Sequence, residues 1–164
     1  MIGVMTTASD PMPPATDPPE RIRRVPSRLL GLAAAQADRL ITAGLAGAKA
    51  HRWHYTVLAS LGDDGPASQA GLSRRTGIWR SDLVAVLNEL EAGGYVLRAP
   101  DPADRRRNVI TITEPGRGRL TELDTLVTAL QDRLMAPFDA REREQLVDLL
   151  ARLVEGFPAG GCEQ

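Results

Sequence analysis

Apolar residues fall three or four positions apart along most of this chain, and that spacing predicts helices. Leu29, Leu32, Ala33, Gln36, Leu40 and Leu45 keep it from Ser27, which can cap a helix, to about Ala50. Tyr55, Leu58, Ala59 and Leu61 predict a second helix from Arg52 to Leu61, stopped by the turn formers Gly62-Asp63-Asp64-Gly65-Pro66. Ser68 opens a short helix from Gln69 to Arg75, which Gly77 closes. Leu83, Leu87 and Leu90 stripe a longer one from Arg80 to Ala92, ended by Gly93 and Gly94, whose φ freedom suits a C-terminal cap. Two helices joined by a tight glycine turn make a helix-turn-helix.

The pattern then changes. Tyr95-Val96-Leu97-Arg98-Ala99 and Val109-Ile110-Thr111-Ile112-Thr113 are rich in the β-branched and aromatic residues that strands prefer. Between them lies Asp101-Pro102-Ala103-Asp104-Arg105-Arg106-Arg107-Asn108, so a β-hairpin tipped by three arginines is expected. Helical spacing returns with Leu120, Leu123, Leu126, Val127, Leu130 and Leu134, until Pro137 interrupts it. Asp139 begins a last helix carrying Leu146, Leu149, Leu150 and Leu153, which ends before Gly156. The expected fold class is mainly α with a small β-hairpin: a winged helix-turn-helix at about 52–113, flanked by long helices at about 27–50 and 114–156. Residues 1–26 hold six of the twelve prolines and no apolar periodicity, so a disordered tail is expected there, and a flexible one at 157–164.

Composition changes this picture little. A length of 164 residues suits one domain with a real core, and 43% hydrophobic with 25% charged residues is ordinary for a soluble protein. Charge changes it more, because the net value of -1 hides a polarised distribution. Ser73 to Arg107 holds seven arginines against five acids, +2, whereas Asp139 to Glu155 holds three against five, -2. Lys49 is the only lysine, an arginine surplus that reads as compositional bias. With one cysteine, Cys162, no intrachain disulfide is possible, and a reducing cytoplasm is the expected compartment. No apolar run is long enough to span a bilayer, and no signal-peptide pattern opens the chain.

The candidate chemistry is nucleic-acid recognition. In a helix-turn-helix the second helix enters the major groove with its N-terminal residues toward base edges. Here that end carries Trp79, Arg80 and Ser81. Arg80 suits a bidentate pair with guanine, while Arg74 and Arg75 on the helix before suit phosphates. A solvated helix end, with Asp82 complementing the helix dipole, is the plainer alternative. The hairpin favours DNA, because Arg105, Arg106 and Arg107 at its tip match the negative potential of a narrow minor groove. Asp104 is expected to brace that tip. Arg21, Arg23 and Arg24 read as a solvated cluster.

At these residues the chain resembles a known family. Asp104-Arg105-Arg106-Arg107-Asn108-Val109-Ile110-Thr111-Ile112-Thr113 resembles the wing of MarR-type (multiple antibiotic resistance) regulators, with Ile112 in place of the usual leucine. Asn88 to Val96 resembles the end of that family's recognition helix, and Tyr55 to Leu61 its preceding helix. The likeness runs from about Leu29 to Glu155. It implies first and last helices that interlock into a homodimer, and so a repressor on an inverted-repeat operator. Half-sites would then lie roughly 34–36 Å apart, one DNA turn. Trp79 departs from the family, which often has Asp, Ser or Thr there. Tryptophan cannot cap a helix, so Ser81 is expected to take over and Trp79 to pack against the preceding helix in preference to touching bases.

The resemblance also implies a small aromatic or phenolic effector, for which His51, Trp53, His54 and Tyr55 are the candidate residues. Two histidines three apart could share a metal or an anion, but no third ligand is evident, so no metal and no cofactor are expected. Cys162 is badly placed for thiol-based sensing. No phosphate loop, metal cluster or nucleophile elbow points to an enzyme. The competing reading is a winged helix that binds protein partners, or an architectural module, without an effector.

Overall fold

The computed structural model describes residues 19–100 and 108–156. The chain divides into two compact units at the Gln36–Ala37 boundary, within a long helix. In the first unit α1 (Glu20–Arg23) is a single helical turn, followed by the start of α2 (Pro26–Gly47). This corrects the expectation of an unstructured chain up to Pro26. Glu20 in the first turn and Arg23 in the last complement the helix dipole. Ser27 does not cap α2 either. Pro26 occupies its first position, where a fixed φ and a missing N–H do no harm. The rest of the expected tail, and residues 157–164, lie outside the described residues.

The second unit continues with α3 (Arg52–Asp63), β1 (Ala67–Ser68), α4 (Gln69–Thr76), α5 (Arg80–Ala92), β2 (Val96–Pro100), β3 (Asn108–Ile112), α6 (Glu114–Leu134) and α7 (Ala140–Glu155). This is a winged helix-turn-helix, mainly helical with a small antiparallel sheet. The sheet has three strands in the order β1-β3-β2. β1 was not visible in the sequence. It is two residues long and exists through pairing, Ala67 with Ile110 and Ser68 with Val109.

Local chemistry sets the boundaries. The Ser68 hydroxyl accepts from the Gly71 amide at 3.1 Å and caps α4. Gly77 leaves α4 at φ +69°, the left-handed conformation that disfavours a side chain. Thr113 caps α6 by accepting from the Gly116 amide at 3.1 Å, while its own hydroxyl donates to the Gly94 carbonyl at 2.6 Å. Gly116 is required there, because a Cβ would overlap the Tyr95 carbonyl oxygen. Asp139 and Glu142 form a reciprocal capping box at the head of α7.

The stripes predicted from spacing converge on one core. Val57, Leu58 and Leu61 of α3 meet Leu72 of α4, Leu83, Leu87 and Leu90 of α5, Ile110 of β3 and Leu123 of α6, all at most 2% exposed. α7 is different, with no buried residue along its length. Among the described residues no helix is long and apolar enough to cross a membrane.

Candidate nucleic-acid interface

α4 and α5 are locked together by apolar contact and by their turn. Leu72, Ile78 and Leu83 are buried between them, and the Ser73 hydroxyl donates to the Ile78 carbonyl at 2.7 Å. That packing leaves the head of α5 projecting. Trp79 is the N-cap residue, without a side-chain cap, and it is 80% exposed. The expectation that it packs against the preceding helix is therefore overturned, since Ile78 fills that place and turns Trp79 outward. Ser81 does not take over the cap either, for its hydroxyl donates to Asp82 Oδ1 at 3.3 Å. The Trp79 carbonyl instead accepts from the Leu83 amide at 2.9 Å, opening the helix through its backbone.

Arg80 and Ser81 are exposed beside Trp79, and Arg74 and Arg75 are exposed in the last turn of α4. Arg75 is partly committed, because its Nη1 donates to the Gly65 carbonyl at 3.1 Å and steadies the loop before β1. Asp104, Arg105, Arg106 and Arg107 lie outside the described residues. The strands on either side of them pair in register as far as Pro100 with Asn108. The hairpin is tied to α5 by Arg98, whose Nη2 donates to Asn88 Oδ1 at 2.7 Å and whose Nε lies 3.4 Å from Glu91 Oε2. No local pattern predicts this brace, which links two elements through a charge on a strand.

A cavity of about 320 Å³ opens beside the other end of α5. It is lined by His54 and Leu58 of α3, Glu89 and Leu90 of α5, Arg119 and Leu123 of α6, and Ala48, Lys49 and Tyr95. Of the four residues expected at an effector site, the structure places only His54 in this lining. Trp53 is 37% exposed, with Arg52 5.9 Å above its ring, and Tyr55 packs on the core. Burial raises the Tyr55 pKa, with Asp124 adding to it. His51 is the N-cap of α3, outside the cavity lining but against His54, their rings stacked at 3.7 Å.

Spacing missed Lys49, a near neighbour of the histidines, and also Glu89, Tyr95 and Arg119, which come from distant parts of the chain. Arg119 is held by Glu122 at 2.9 Å and donates to the Ala48 carbonyl, and it sits 5.9 Å from the centre of the Tyr95 ring. Glu89 Oε2 accepts from His54 Nε2 at 2.8 Å and from His51 Nε2 at 3.3 Å. The His54 pKa is lowered, first by burial and then by the neighbouring His51, against the opposing pull of Glu89. The cavity thus combines apolar walls with a few convergent polar groups, as small-molecule sites do.

Known proteins resemble this chain in sequence, and solved structures share its fold. The model of the MarR family matches residues 49–107, from just before α3 to the wing. NicR, an HTH-type transcriptional repressor of Pseudomonas putida, is 29% identical over 107 residues, which are 65% of this chain and 68% of NicR. Among solved structures, BpsR of Bordetella bronchiseptica, whose DNA binding is regulated by 6-hydroxynicotinic acid, superposes with a TM-score of 0.73 at 24% identity, covering 84% of this chain and 98% of BpsR. A mutant MarR of E. coli complexed with operator DNA gives 0.69 at 24% identity, covering 77% of this chain and 91% of that one.

Proposed function

We propose that this chain, which resembles the MarR family over residues 49–107, is a DNA-binding transcriptional repressor that works as a ligand-responsive homodimer. The observation that carries this reading is the exposed head of α5, where Trp79, Arg80 and Ser81 project together beside a braced β-hairpin. In this reading Arg80 reads a base edge, Arg74 and Arg75 hold phosphates, and Arg105, Arg106 and Arg107 reach the minor groove with Asp104 steadying them. The family is one of transcriptional regulators, and no catalytic role is proposed for any residue. Its place of work is the cytoplasm, where the DNA is.

Dimerisation follows from apolar surface. Leu29 and Leu32 of α2 are 48% and 47% exposed, and Val147, Leu149, Leu150 and Leu153 of α7 are 40–58% exposed. Two copies would bury these stripes, and a twofold dimer presents two α5 helices to an inverted repeat. The effector is a small aromatic or phenolic compound, taken up by the cavity that Tyr95, His54 and Arg119 line.

A gel shift on the DNA upstream of the chain's own gene tests the reading. Binding should be specific and should weaken steeply as salt rises; no binding, or none that salt affects, overturns it. Arg80→Ala should relax preference at one base pair, costing about 1–3 kcal/mol there, whereas Arg106→Ala should weaken all sequences alike. Equal behaviour of the two variants would reverse the division of roles.

A further inference from the structure

His51, His54 and Glu89 come from places 38 residues apart and meet at the surface of α3 and α5. Their ligating atoms all lie within 4.8 Å of one another. His51 Nε2 is 3.3 Å and His54 Nε2 2.8 Å from the same oxygen, Glu89 Oε2. Metal–ligand bonds of about 2.0–2.1 Å in a tetrahedral zinc site set neighbouring ligand atoms roughly 3.3 Å apart. The first distance already matches that spacing, and the second needs a movement of about half an ångström, within reach of an exposed glutamate side chain. We propose that His51, His54 and Glu89 form a three-ligand site for a divalent transition metal of the zinc class.

The donor chemistry fits. Two imidazole nitrogens and one carboxylate oxygen make a set that zinc accepts with one position left for water. In the metal-free state the Nε2 protons are shared with Glu89. On binding, each ring moves its proton to Nδ1 or releases it, and the freed Nε2 lone pair takes the metal. The stacked rings hold both nitrogens toward the same point, so little side-chain freedom is left to lose. The nearby cation Arg119 is partly compensated by Glu122 at 2.9 Å and by the Ala48 carbonyl. The Glu89 and His51 side chains are 57% and 43% exposed, which gives an ion a route in.

Such a metal would staple the last turns of α5 to the first turn of α3. If the reading of α5 as the DNA-contacting helix holds, occupancy would fix that helix in one orientation and change operator affinity.

The test uses the full-length chain carrying Cys162→Ser, which removes the one thiol, titrated with Co²⁺ while its visible d–d absorption is followed. One equivalent should bind with the intensity of a four-coordinate site, and Zn²⁺ should displace it. His51→Ala and Glu89→Gln, both at exposed positions, should each weaken binding by about tenfold or more. Glu91→Gln should leave it unchanged. Far-UV circular dichroism shows that each variant is folded. No Co²⁺ uptake by the parent chain, or uptake that survives both ligand substitutions, overturns the site. Because the readout is spectral, that outcome is separate from any DNA result. A metal-loaded chain that never binds DNA would instead sink the repressor reading.

Discussion

α5 and α7 both carry leucines on one helical face, with opposite results. Leu83, Leu87 and Leu90 of α5 are at most 2% exposed, whereas Leu149, Leu150 and Leu153 of α7 are 40–50% exposed. Helical periodicity therefore identifies an apolar face but not what covers it. α5 finds its cover in α3, α4 and β2 of the same chain. α7 is strongly amphipathic, firmly capped and without a buried residue, so its leucines still await a surface. The difference marks α5 as part of the folding core and α7 as the face that the proposed dimer would cover.

Substitutions can sharpen that contrast or break it. The largest effect is expected in the core: Leu87→Ala should cost about 2–5 kcal/mol in chemical denaturation, independent of protein concentration. In α7, Leu149→Asp should instead shift the dimer–monomer equilibrium, by roughly 2 kcal/mol or about thirtyfold in dissociation constant, and sedimentation should show monomer where the parent is dimeric. Should Leu149→Asp unfold the chain at every concentration, α7 belongs to the core after all. Gly116→Ala should destabilise by about 1–3 kcal/mol, because its Cβ drives α6 away from the Tyr95 carbonyl; an unchanged melting temperature would show that this joint yields easily. The smallest effect is expected from Asp139→Ala, about 1 kcal/mol, read as fraying of α7 in hydrogen exchange while α5 keeps its protection.

Features set by neighbours in sequence were legible before the structure. Ser68, Gly77, Gly93 and Gly94 punctuate the chain chemically, and α5 runs from Arg80 to Ala92 as its leucines and glycines predict. Features set by tertiary pairing were not. β1 consists of two residues with no strand-like pattern, and only their pairing with Ile110 and Val109 makes a strand of them. The two histidines were visible as a pair, but their partner Glu89 lies on another helix, where it looks like any exposed acid. Trp79 misled for a related reason. Large aromatic side chains are usually covered, yet the space beside α4 was already filled by Ile78. The two strands of the hairpin, Val96–Pro100 and Asn108–Ile112, were legible, while its expected tip, Asp104 to Arg107, lies outside the described residues.

Tyr95 is where these levels of organisation meet. Its amide donates to the Leu90 carbonyl at 2.9 Å, its carbonyl accepts from the Thr113 amide at 3.0 Å, and Gly116 faces that carbonyl with no room for a Cβ. The end of α5, the first residue of the wing and the head of α6 are thus welded at one peptide. Its ring forms part of the cavity wall beside Arg119. A molecule that shifts this ring is pushing on the short arm of a lever, and the 13-residue α5, with Trp79 at its far tip, is the long arm.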